Sequence, residues 1–181
     1  MRGGGYAMAA LVSALLTSAL LITAGCGSTQ KSASNSPTPA QAMFGQVKSL
    51  AGTWEGKDHE GNPQKIVYRV VSNGSAVCEQ MFPGQPHEMV NMYHLDGDRL
   101  LVTHYCAMGN QPRMAAQAQP VATEITFQPE SVTNLADPAG DYMASLKLVM
   151  PDHDHLTQCW TSYENGKPGH TTEFTLTRAR S

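Results

Sequence analysis

The sequence predicts an all-β domain, an antiparallel up-and-down barrel of about eight to ten strands preceded by one short helix. Three observations carry this. From residue 65 to residue 178, apolar and polar residues alternate or form short runs of the kind found in buried strands. Turn signals such as Asn73-Gly74, Pro83-Gly84, Asp96-Gly97-Asp98 and Asn165-Gly166 divide that stretch at close, regular intervals. No long helical pattern separates the strands, which removes parallel βαβ arrangements.

The chain begins differently. Residues 1–25 hold one positive charge at Arg2, an apolar stretch over 7–22 and the small residues Thr23-Ala24-Gly25. That order is a secretory signal. Its junction with Cys26 resembles a bacterial lipoprotein signal, although Thr23 stands where that family usually has Leu. The resemblance implies cleavage before Cys26 and lipidation of its sulfur. Several acyl chains there give a stable membrane anchor. Gly27 is not the Asp that marks inner-membrane retention in the enterobacterial lipoproteins. The expected location is therefore the cell envelope, at the periplasmic side of the outer membrane in an organism with two membranes. Residues 26–41 are rich in Ser, Thr, Pro and Ala, with Lys31 the one charge. This composition buries too little apolar area to offset the entropy of ordering, so it reads as a flexible tether.

The expected domain covers 42–181. Over 42–50, Met43, Val47 and Leu50 fall at helical spacing, with Gly45 a cost. An extended segment opens at 51–56. Strand patterns follow at 65–71, 76–82, 88–95, 99–107, 113–119, 123–128, 142–150, 155–163 and 170–178, with a weaker one at 131–135. Pro129 marks the end of one of them. The formal net charge of −3 offers no basic excess for phosphates, so nucleic acid is not an expected partner.

Leu50-Ala51-Gly52-Thr53-Trp54-Glu55-Gly56 resembles the L-x-G-x-W-x-G opening of the calycin group: lipocalins, fatty-acid-binding proteins and nitrobindin-like proteins. The resemblance implies a lipocalin-like barrel whose closed end is plugged by Trp54 and covered by Arg178 on the last strand. The segments 95–100 and 103–114 are similar to uncharacterised bacterial lipocalin-like domains. Nitrobindins bind haem through a His on a late strand. His153, His155 and His170 lack a flanking motif that would carry that role here, so no cofactor and no metal is assigned.

Candidate ligand-binding residues cluster in the middle of the chain. With Asp96-Gly97-Asp98 as a three-residue hairpin loop, Leu95 opposes Arg99. His94, Met92, Val90 and Glu88 then oppose Leu100, Val102, His104 and Cys106, all on one face. That face, apolar with a few polar groups, suits a ligand cavity. A two-residue turn slips the register and separates these groups. His94 and His104 lie roughly 13 Å apart along the strands, too far to share a metal. Tyr105, Asn110, Gln111 and Arg113 form a candidate clamp for a carboxylate or similar polar head. Asp152, His153, Asp154 and His155 read as a hydrated turn. A soft-metal site would need methionines gathered beside Cys or His. Three cysteines besides Cys26 remain, either one disulfide with a free thiol or three thiols.

The expected function is a membrane-tethered module that binds a small, largely apolar ligand in the barrel. The alternatives are a structural lipoprotein with a filled barrel, and an enzyme using His104 with Glu79 or Glu88 as an acid–base pair.

Overall fold

The computed structural model describes residues 36–117 and 123–180. The expected signal segment 1–25, the expected lipidation site Cys26 and the expected tether as far as residue 35 lie outside them. The compact unit starts at Ser36. No helix among the described residues is long and apolar enough to cross a membrane.

One helix, α1 (Pro39–Ser49), precedes ten strands. It starts three residues ahead of the expected 42–50 because Thr38 caps it. The Thr38 hydroxyl accepts from the Gln41 amide at 3.2 Å, and the Gln41 side chain accepts from the Thr38 amide at 2.8 Å. This reciprocal box, with Pro39 in the first turn, satisfies amides that a helix start otherwise leaves bare. Ala40, Phe44 and Val47 face the core.

The strands are β1 (Gly52–Asp58), β2 (Pro63–Val71), β3 (Ala76–Met81), β4 (Met89–Asp96), β5 (Arg99–Tyr105), β6 (Gln111–Ala116), β7 (Glu124–Thr133), β8 (Tyr142–Val149), β9 (His155–Glu164) and β10 (Lys167–Arg178). Each pairs antiparallel with its sequence neighbours, and β1 pairs with β10, so the sheet closes into an up-and-down barrel of the lipocalin-like kind. Pro129 does not end a strand. It lies inside β7 where the register with β6 shifts: Arg113 opposes Ser131 and Met114 opposes Pro129, leaving Glu130 as the extra residue. A bulge tolerates a residue that cannot donate to the ladder.

The β4–β5 hairpin corrects the expected register. Asp96 opposes Arg99 across a two-residue turn, with Gly97 at φ +61°. Gly suits the first central position of such a turn. Every β4 residue therefore moves one place relative to β5. Asn91 opposes His104 and Tyr93 opposes Val102. Asn91, Tyr93, Leu100, Val102 and His104 are buried, whereas His94, Met92 and Val90 take the other phase.

The barrel has two unlike ends. At the end where β1 starts and β10 finishes, Trp54 is buried and its indole nitrogen donates to the Leu50 carbonyl at 2.8 Å. The Arg178 guanidinium lies 4.4 Å from the centre of the Trp54 ring. It also donates to the carbonyls of Ala51, Ser49 and His153 at 2.8–3.0 Å, joining the helix exit to the β8–β9 turn. Between the ends, Ile66, Tyr68, Tyr93, Phe127, Leu146 and Leu148 fill the interior. Side chains thus occupy much of the cylinder.

Candidate functional site

Alternation on β3, β4, β5 and β9 turns polar residues inward at corresponding heights. Glu79 lies in phase with Val77 and Met81, Asn91 with Tyr93, His104 with Val102, and Gln158 with Leu156 and Trp160. Antiparallel pairing sets Glu79 opposite Asn91, and Asn91 opposite His104.

Glu79 is fully buried. One oxygen, Oε2, accepts from Asn91 Nδ2 at 2.8 Å and from the Tyr93 hydroxyl. The other, Oε1, accepts from Gln158 Nε2 at 2.7 Å. Gln158 also donates to the Tyr68 hydroxyl, and its carbonyl accepts from the Trp160 indole at 3.0 Å. These partners are all uncharged. Burial pushes the Glu79 carboxyl above its ordinary range, opposed by the hydrogen bonds from Tyr93, Gln158, Asn91 and Tyr68.

The second arm ends at His104. With Asn91 Nδ2 committed to Glu79, the Asn91 carbonyl faces His104 Nδ1 at 2.7 Å. That carbonyl only accepts, so Nδ1 carries the imidazole proton. Burial lowers His104 from 6.5 to about 4. At neutral pH the ring is uncharged and Nε2 presents a bare lone pair. His104 is 1% exposed, and its Nε2 is buried without a partner. A base this weak is poorly matched to proton abstraction near neutrality, but it remains a good acceptor or ligand atom.

His104 borders a cavity of about 110 Å³ at the barrel end opposite Trp54. Met81, Met89, Met143, Trp160 and Phe174 supply its walls. The His104 and Trp160 rings stand 4.8 Å apart between centroids. Phe82 adjoins it, packed edge-on against Phe174 at 5.6 Å and against His87 at 5.0 Å. Phe82 has φ +56°, an unusual conformation for a bulky residue. A larger hollow of about 750 Å³ runs outside the barrel between the β1–β2 hairpin and the loop at 83–87. None of the unpartnered buried side-chain atoms belongs to its walls. The smaller interior cavity is therefore the candidate site.

Of the expected ligand-binding residues, only His104 borders this cavity. Tyr105 follows it on the opposite face and is 49% exposed. His94 takes the outward phase of β4. Glu88 is exposed and ties the loop before β4, accepting from Gln80 at 2.7 Å and from the Gly84 amide at 2.6 Å. The proposed Glu88–His104 acid–base pair is therefore not assembled. Asn110 donates to the Asp141 carbonyl at 2.9 Å, and Gln111 accepts from Thr133 at 2.8 Å. Arg113 lies 3.5 Å from Asp96 and 3.7 Å from Glu130, which also pairs with Arg99. Asn110 and Gln111 tie loops at the rim, and Arg113 joins an exposed ion-pair cluster with Asp96, Arg99 and Glu130, so none of the three converges on the cavity.

Cys78, Cys106 and Cys159 are free thiols, which resolves the cysteine alternatives for the described residues. Asp152 accepts from the amides of Asp154 and His155 at 2.8 and 3.0 Å, the bonding of an exposed turn. The residues missed by the sequence reading are Asn91, Gln158 and Trp160. The signal for Asn91 and Gln158 is a lone polar side chain in phase with buried apolar ones, as Gln158 is with Leu156 and Trp160.

Neither a protein-family model nor a curated protein matches the chain. Among solved structures it is similar to Rv2717c from M. tuberculosis, with a TM-score of 0.52 at 17% identity. That match covers 76% of this chain and 97% of Rv2717c. It supports the barrel fold.

Proposed function

We propose that this chain is an envelope lipoprotein, anchored through lipid on Cys26, that holds a small ligand in the cavity at the unsealed end of its barrel. The ligand matches apolar and thioether walls and carries one centre that takes up the lone pair of His104 Nε2. The observation behind this reading is that buried, unpartnered nitrogen at the edge of a cavity. A buried acceptor without a partner costs about 1–3 kcal/mol, which a ligand that satisfies it recovers.

The cavity limits the ligand's size. At about 110 Å³ it is smaller than the ~300–1,000 Å³ of drug-sized pockets, and nearer the ~150 Å³ that accepts benzene. A ligand of a few heavy atoms fits without rearrangement of Phe82 or the methionines.

The test is native mass spectrometry of the full chain, purified in detergent from a bacterial host, beside Met143→Trp, which fills the cavity. A bound mass present in the natural chain and absent from the variant supports the reading. A bare polypeptide in both, together with no ligand-induced shift of the His104 ring resonances across a small-molecule panel, refutes it. The anchor is tested separately by labelling with radioactive palmitate. Label is expected on the full chain and not on Cys26→Ser; equal labelling refutes the assignment.

A further inference from the structure

The walls of the candidate cavity are unusual for a site meant only for hydrocarbon. Met81 and Met89 oppose each other across the β3–β4 pair, Met143 comes from the sequence-distant β8, and all three border one small space with His104. Thioethers and a neutral imidazole are soft or borderline donors, a set that selects Cu(I) among biological metals. Groups of at least three His, Cys, Asp or Glu able to hold a metal are absent among the described residues, so oxygen-rich divalent sites have no counterpart here.

We infer that the cavity is a binding site for a soft monovalent metal ion of the Cu(I) type, taken up by His104 Nε2 and by the thioethers of Met89, Met143 and Met81. This rests on the reading that the cavity takes a ligand at His104, and it names that ligand. Four features support it. The nitrogen is already deprotonated, because Asn91 holds the proton on Nδ1. Asn91 Nδ2 touches the Met81 sulfur at 3.3 Å, so one amide positions both an imidazole and a thioether. The Trp160 ring lies beside His104, where its π face can stabilise a desolvated cation. Behind the arms stands Glu79, a buried carboxylate whose hydrogen-bond partners are neutral. Its two oxygens hold Asn91 and Gln158, so the imidazole and the indole are fixed in place before an ion arrives.

Ag(I) is the probe, since it has the same charge and softness and no accessible redox change. Free thiols also capture it, so the full chain carries Ser at Cys26, Cys78, Cys106 and Cys159; Cys78, Cys106 and Cys159 do not line the cavity. Ag(I) is titrated in detergent, followed by calorimetry and by Trp fluorescence. Trp160 reports the site and Trp54, at the sealed end, does not border it. The expected result is one Ag(I) per chain, quenching of one Trp, and no binding of Zn(II). Met89→Leu/Met143→Leu preserves apolar packing and is expected to weaken Ag(I) at least about tenfold, and His104→Phe to abolish it. Absence of Ag(I) binding while a small apolar molecule still shifts the His104 resonances overturns the metal inference and leaves the cavity reading standing. Absence of both overturns the two together. Ag(I) binding unchanged in both variants overturns the inference by placing the ion elsewhere.

Discussion

His104 and Trp160 are held beside each other by the two oxygens of one carboxylate. Glu79 Oε2 reaches His104 through Asn91, and Oε1 reaches Trp160 through Gln158. The two rings that border the cavity are therefore positioned by one buried group with paired arms, and removal of any link disturbs both packing and proton placement.

Asn91→Leu removes the middle of one arm at near-constant volume. It leaves His104 Nδ1 without its acceptor and withdraws one donor from Glu79. Two buried polar groups losing partners at about 1–3 kcal/mol each predict a loss of about 2–6 kcal/mol. Urea unfolding monitored by circular dichroism measures it. A loss below 1 kcal/mol would mean that the arm does not constrain the ring.

Acid provides a second test. The folded His104 value of about 4 lies below the ordinary 6.5 of the unfolded chain. Between these values the unfolded chain binds the extra proton, so this group's contribution falls as pH drops from about 6.5 to about 4. The full change is about 3 kcal/mol. Glu79 is shifted upward and acts with opposite sign above its ordinary value of 4.5, so the informative quantity is the difference between the natural chain and His104→Gln. The variant is expected to lose the destabilisation that His104 adds between pH 6.5 and 4. Parallel stability–pH curves would contradict a buried neutral imidazole.

At the sealed end, Arg178→Lys keeps the charge and loses the planar group that stacks on Trp54 while donating to three carbonyls. A loss of about 2–3 kcal/mol is expected, because a single ammonium cannot reproduce the stack and the fork together. Thermal unfolding of the lysine variant is the measurement, and a melting temperature equal to that of the natural chain would count against the cap.

Phe82 separates ring burial from backbone conformation. Both Phe82→Ala and Phe82→Gly delete a buried ring and are expected to cost several kcal/mol, about 3–5 for the alanine. At φ +56° only the glycine escapes the left-handed penalty. The glycine variant should be the more stable by about 1–2 kcal/mol. Chemical denaturation of the pair gives the order, and a more stable alanine variant would place Phe82 in an ordinary conformation.

The fold was readable because strand alternation and turn residues are local signals. Asn73-Gly74, Pro83-Gly84 and Asn165-Gly166 bracket strands where the pattern predicts them. The site was less readable because it depends on one residue of loop length. With three residues between Leu95 and Arg99, His104 would share a face with His94 and Glu88. With the observed two, it shares a face with Asn91 and Tyr93. Asp96-Gly97-Asp98 is compatible with either turn. Packing settles the choice, because the observed register buries Tyr93 opposite Val102. The methionine gathering was hidden in part for a related reason: Met81 and Met89 oppose each other across the β3–β4 pair, but Met143 on β8 joins them only after the sheet has curled shut. Pro129 misled because a proline inside a strand is compatible only with an edge or a bulge, and the bulge needs the β6 register to be seen.

Ring closure also bears on how the chain is made. The first strand finds its outer partner only in the last: Trp54 meets Arg178, and Glu55 meets Thr177. Until residues 167–178 emerge from the ribosome, the nascent polypeptide is a ribbon with two bare edges. Closure of the barrel therefore waits for β10, and its rate should be governed by that long-range encounter.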